Sequence, residues 1–177
     1  MRFVKTEIEG LLVVESDPKH DERGYFERLF DASDFEASGL LFSPRQTALS
    51  HNAKILTLRG MHYQRGNSGQ AKLVRCMRGK LFDVAIDLRP ASATYCKWFG
   101  IQLSGADHRA LFIPAGFAHG FLTLENKTDI LYQLGNAEDP NEAAGVRWND
   151  ARFKIAWPAN PAVINARDAN YPDFIAS

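Results

Sequence analysis

The sequence is short of the residues that would announce disulfide or metal chemistry. It has two cysteines, Cys76 and Cys96, with no CxxC spacing, so neither a disulfide framework nor a zinc site built on paired thiols is expected. Both are read as reduced thiols, in keeping with a cytoplasmic location. Charge of one sign is also lacking: 21 basic residues balance 21 acidic ones. A balanced chain has no field to draw it to nucleic acid or an anionic membrane, and neither is expected as a partner. No apolar run approaches the roughly 20 residues of a membrane span. Met1 to Gly10 mixes Arg2, Lys5, Glu7 and Glu9 with apolar residues, unlike a signal peptide. Repeats, low-complexity tracts and charge blocks are missing too. The 177 residues are therefore read as a single domain, 1–177, long enough for a core of its own.

Helical signals are few. The clearest is Asp31-Ala-Ser-Asp34-Phe-Glu-Ala-Ser-Gly39, with capping residues at its start and a glycine at its end, enough for one short helix. What the chain has in quantity is short strands. Lys80–Leu88 alternates strictly, Phe82, Val84, Ile86 and Leu88 against Leu81, Asp83, Ala85 and Asp87. Further strands are expected at 11–15, 55–58, 72–76, 98–103, 110–113, 120–124 and 129–134. Turn signals such as Arg78-Gly79, Arg89-Pro90 and Ser104-Gly105 separate them. Closely spaced strands with tight turns imply an all-β sandwich or barrel. The tail beyond Trp157-Pro158 reads as irregular, with room for one short helix.

Of the five histidines, His20, His51 and His108 stand in polar surroundings and read as surface residues. His62 and His119 differ. Pro114-Ala-Gly116-Phe-Ala-His119-Gly120 resembles the second histidine motif of cupins, PxGxxHG, in which a Pro-Gly turn feeds a strand whose histidine points into the barrel. In metal-binding cupins an earlier strand supplies HxH and a carboxylate. The corresponding stretch here, Arg59-Gly-Met-His62-Tyr-Gln64, has one histidine and no second one two residues on, so no metal site and no cofactor are expected.

Six runs then occur in order: Asp21-Glu-Arg23-Gly-Tyr-Phe26, Leu58-Arg-Gly-Met-His62-Tyr-Gln64, Gln70-Ala-Lys72-Leu-Val-Arg75, Asp83-Val-Ala-Ile-Asp87-Leu-Arg89, Ile113-Pro-Ala-Gly-Phe-Ala-His119-Gly-Phe121 and Val146-Arg-Trp-Asn-Asp150. Together they resemble the dTDP-4-dehydrorhamnose 3,5-epimerase family of RmlC-like cupins, over nearly the whole chain. The resemblance implies a cupin-type jelly-roll β-barrel with a few short helices, assembled as a homodimer that exchanges N-terminal strands. It implies an isomerase that epimerises a nucleotide-diphosphate 4-keto-6-deoxy sugar at carbon 3, carbon 5 or both.

Such a reaction needs a base on one face of the carbon beside the ketone, an acid on the other, and stabilisation of the enolate between them. The resemblance assigns His62 as base, Asp168 as the carboxylate that orients it, Tyr132 as acid, and Lys72 as the cation beside the keto oxygen, with Asp83 nearby as a possible partner of Lys72. Arg23, Gln46, Arg59, His119 and Arg167 fall on substrate-contacting positions, the arginines suiting a diphosphate. Trp148 and Trp157 are left out of the site. A 3,4-ketoisomerase on the same barrel and a non-catalytic sugar-binding cupin are the alternatives. The retained His62, Asp168 and Tyr132 argue against both.

The chain departs from the family pattern in places. Ala48 replaces an asparagine two residues after Gln46, and Arg28 stands where a substrate-contacting Glu is expected, with Glu27 one position early. Ala143 takes the place of an acid now at Glu142. Asn165 replaces a common serine, and 135–140 lacks an aromatic. These changes fall on substrate contacts rather than on proton transfer. There is also a parity conflict: on a regular strand Arg59 and His62 project from opposite faces, so a bulge at Gly60 is needed if both enter one pocket.

Overall fold

The computed structural model describes residues 1–66, 69–136 and 139–175. In chain order these hold β1 (Arg2–Lys5), β2 (Leu12–Glu15), β3 (Lys19–Asp21), β4 (Gly24–Phe26), α1 (Ala32–Ala37), β5 (Gln46–Asn52), β6 (Leu58–Gln64) and β7 (Lys72–Arg78). Then follow β8 (Lys80–Asp87), β9 (Trp98–Ser104), β10 (Arg109–Ile113), β11 (Phe117–Thr123), β12 (Thr128–Leu134), β13 (Ala143–Gly145) and α2 (Ala166–Ala169). The protein is all-β, as the strand reading implies: a six-stranded sheet ordered β1-β2-β10-β7-β12-β5 faces a five-stranded sheet ordered β13-β6-β11-β8-β9, and β3-β4 forms a separate hairpin. Strand pairing in both sheets is antiparallel.

The core lies between the sheets, where Val74, Cys76, Leu111, Ile113 and Ile130 of one meet Leu81, Ala85, Leu103, Phe117 and Phe121 of the other. Each of the large aliphatic and aromatic side chains among these contributes about 1.5–3 kcal/mol by leaving water. The alternation in β8 has a different meaning from a half-exposed strand. Leu81 and Ala85 face this core, while Phe82, Val84 and Ile86 belong to a second cluster on the outer face, with Phe153, Ile155, Trp157 and Phe174 from the chain after β13. Trp157 also donates from Nε1 to the Trp148 carbonyl at 2.9 Å, which holds the Trp157 ring in that layer. A third cluster, built on Phe35 and Phe42, seals the outer face of the six-stranded sheet. There α1 begins at Asp31, whose carboxylate accepts from the Ser33 and Asp34 amides as an N-cap.

Two strand expectations need correction. Ile55 to Thr57 is not strand: Leu56 has φ 56° in a tight turn, and β6 begins at Leu58. Strand β5 went unread because its sequence, QTALSHN, is polar, and as an edge strand it is exposed along most of its length. Strand β1 pairs with β2 of its own chain, Arg2 opposite Glu15. No helix among the described residues is long and apolar enough to cross a membrane.

Candidate active site

Strand β6 carries the irregularity the site depends on. His62 pairs with His119 of β11 and Arg59 with Phe121, so three positions of β6 span two of β11. The extra residue turns Arg59 and His62 to the same side, and both line one cavity. Gly60 makes this possible. Its φ is 139°, and a Cβ there would lie 2.5 Å from the Gly120 Cα, so no larger residue fits where β6 and β11 close together. The parity conflict is thereby resolved.

The cavity holds about 450 Å³ between the two sheets. His62 and His119 enter from the five-stranded sheet, and Lys72 and Tyr132 from the six-stranded one, where Tyr132 sits opposite Val74. Arg167 closes it from α2. Arg59, Lys72 and Arg167 supply three cations, and no Asp or Glu is among the described lining residues. The wall is therefore built for an anion.

His62 is held from behind. Its Nε2 lies 2.8 Å from Asp168 Oδ1, and Asp168 Oδ2 accepts from the Gly60 amide at 3.0 Å. Asp168 is fully buried. Burial alone would raise its pKa. The hydrogen bonds from His62 and Gly60 and the nearby cationic groups outweigh that and hold it below the ordinary aspartate value. A carboxylate so placed keeps a proton on the facing ring nitrogen and leaves the other nitrogen as acceptor. Asn165 caps α2 by accepting from the Asp168 amide at 2.7 Å, doing at this position what a serine would.

Tyr132 packs edge-on to His119, ring centroids 5.8 Å apart. Burial first, and then the charge of Asp83, raise its phenol well above the usual tyrosine value, against a smaller opposing pull from Arg59. It therefore keeps its proton at neutral pH and well into the alkaline range.

Three expected site residues stand elsewhere. Asp83 is fully buried behind His119, whose Nε2 it meets at 2.7 Å, and is not a wall of the cavity. Gln46 occupies the exposed outer end of β5, opposite Leu134, outside the cavity wall. Arg23 sits in the β3–β4 turn, exposed and paired with Asp21, away from the cavity of its own chain. Both Gln46 and Arg23 lie on surfaces where nothing of this chain covers them.

The departures acquire physical content. Glu27 does not replace the missing acid at position 28. It is tied to Arg75 at 3.0 Å and His108 at 2.9 Å, under the hairpin. Ala143 lines the cavity where an acid is expected, leaving that wall uncharged. Of 135–140, Pro140 lines the cavity, while Ala137 and Glu138 lie outside the described residues. Sequence reasoning missed Asn52, which is buried and accepts from Arg59 Nε at 2.9 Å. It also missed Gln64, Gln70 and Tyr171 as wall residues. The two glutamines stand inside runs that carry the family resemblance, whereas Tyr171 follows α2 in the irregular tail with no pattern to mark it. Among the described residues no group of three His, Cys, Asp or Glu side chains is placed to hold a metal ion.

A sequence model of the dTDP-4-dehydrorhamnose 3,5-epimerase family matches residues 5–175. The chain belongs to this family. It is 42% identical over 165 residues to the dTDP-4-dehydrorhamnose 3,5-epimerase of Escherichia coli strain K12, covering 93% of this chain and 89% of that one. Its structure matches a crystal structure of the Bacillus anthracis epimerase with TDP and pyrophosphate bound: TM-score 0.94, 33% identity, 98% of this chain and 99% of that one. The Legionella pneumophila enzyme RmlC, solved in complex with dTDP-4-keto-L-rhamnose, matches with TM-score 0.89 at 35% identity, over 95% and 89% of the two chains. Family membership makes the protein an isomerase, a 3,5-epimerase of dTDP-linked 4-keto-6-deoxy sugars in rhamnose and deoxysugar biosynthesis.

Proposed function

We propose that His62 is the base of this epimerase and Tyr132 its acid, acting on opposite faces of one dTDP-linked 4-keto-6-deoxy hexose. The observation that carries the reading is a carboxylate-backed histidine and a protonated tyrosine entering one cationic cavity from facing sheets. His62 takes the proton from the carbon beside the ketone, and the C–H electrons move into the carbonyl to give an enolate. Lys72 stabilises the oxygen. Tyr132 then delivers its proton to the opposite face of that carbon as the enolate electrons return from oxygen and the carbonyl re-forms. His62 releases its proton to solvent and Tyr132 recovers one, so the sugar is inverted with no net gain or loss of atoms. Arg59 and Arg167 hold the diphosphate, His119 contacts the sugar, and Asp83 keeps His119 oriented.

In deuterated water with a dTDP-linked 4-keto-6-deoxyhexose, the protein is expected to place label at carbons 3 and 5 of an inverted product, read by NMR. Label at one carbon alone, or no label at all, would end the proposal.

We also propose that the single domain works as a homodimer in which Arg23 and Gln46 serve the partner's cavity. The hairpin that carries Arg23 exposes Tyr25 and Phe26, the latter 71% accessible, and β5 offers an unpaired edge with Leu49 at 63%. Surfaces of this kind are normally covered. Light scattering at micromolar concentration should report twice the chain mass of 19.8 kDa; a monomer would refute the assembly. We place the enzyme in the cytoplasm on the strength of its two free thiols. Recovery with the membrane or outside the cell on fractionation would reverse that placement.

A further inference from the structure

Tyr171 lines the cavity beside the base and has no role in the account so far. Its ring stands edge-on to the His62 imidazole, centroids 6.0 Å apart and planes at 71°. The neighbouring strand makes room for it. Gly145 of β13 pairs directly with His62, and a Cβ added at Gly145 would clash with the Tyr171 ring, 2.3 Å from two of its carbons. Gly145 is not among the positions of positive φ, so its backbone does not require glycine. The absence of a side chain there is explained by the ring it accommodates. Gly145 and Tyr171 thus form a matched pair beside the base, and Tyr171 lines the cavity next to His62, whose Nε2 is held by Asp168 at 2.8 Å with the Arg167 guanidinium 3.5 Å away.

We propose that Tyr171 is a substrate-contacting specificity residue whose ring walls the cavity on the His62 side and packs against the sugar, not the nucleotide. This rests on the reading of the cavity as the seat of a dTDP-linked 4-keto sugar. An aromatic face suits the C–H face of a deoxyhexose, and the contact acts on binding because the base is oriented by Asp168 and Gly60.

Tyr171→Ala should raise KM for the dTDP-sugar about tenfold, the size of one lost aromatic packing contact, with the loss falling on KM and not on kcat. Its affinity for dTDP alone, by calorimetry, should fall by a clearly smaller factor, reflecting only the lost Tyr171 contact with Arg167. Tyr171→Phe should recover most of the lost KM, since the ring is what acts. Gly145→Ala, which forces the ring aside, should raise KM similarly; in a Tyr171→Ala background the same change should add nothing, because the methyl group then has space. Thermal melts establish that each variant is folded. The proposal is overturned if KM is unchanged in folded Tyr171→Ala, if dTDP alone weakens by the same factor, or if the two substitutions add independently. A parent protein that neither labels nor inverts the sugar would instead remove the underlying reading.

Discussion

Replacing His62 with alanine is expected to abolish deuterium uptake by the sugar at both carbons, with epimerisation falling about 100- to 10,000-fold, the usual cost of losing a positioned base. The cavity offers no substitute. Arg59, Lys72 and Arg167 are cationic, and His119 is turned to Asp83. The substitution also strips Asp168 of its closest side-chain partner, leaving the buried carboxylate with the Gly60 amide and an Arg167 ion pair at 3.6 Å, which is a stability cost as well. His62→Asn, which can still donate to Asp168, separates the two effects. It should melt near the parent temperature and remain without exchange. Undiminished exchange in either variant would place the base elsewhere.

Tyr132→Phe keeps the ring that packs on His119 and removes only the hydroxyl. Its expected signature differs from that of the His62 variants. His62 still forms the enolate and still returns a proton to the face it came from, so exchange continues. Inversion, which needs a proton from the other sheet, should fall about 100- to 10,000-fold. Because burial holds the parent phenol well above the ordinary tyrosine pKa, deprotonation of Tyr132 should not limit inversion anywhere near neutral pH. An alkaline loss of rate below about pH 10 belongs to another group.

The fold was legible where burial is two-sided or a turn is chemically marked. Strand β8 alternates because each face packs on a different cluster, and the Pro114–Gly116 turn sets up β11, which is buried along its whole length. It was not legible where strands are held mainly by backbone pairing. The polar edge β5, the three-residue β13 and the exposed hairpin β3–β4 have no hydrophobic pattern to read. Apolar Ile55 and Leu56 misled for the opposite reason, lying in a turn.

In the site, His62, Lys72, His119, Arg59, Arg167 and Tyr132 were named from family runs and local matches, and the structure brings them to one cavity. Asp83 was placed in the right neighbourhood, but its position behind His119 depends on the register of β8 against β11. Arg23 and Gln46 depend on contacts a single chain does not make. Tyr171 and Gly145 were hidden because their relation is steric complementarity across 26 residues of sequence.

The central claim, that base and acid stand on opposite sides of one sugar, is tested most directly by following exchange and inversion together in one NMR sample of Tyr132→Phe beside the parent. The account predicts that label enters the sugar at a rate within a few-fold of the parent while inverted product is nearly absent. Inversion at the parent rate, or loss of exchange and inversion in equal measure, would contradict it.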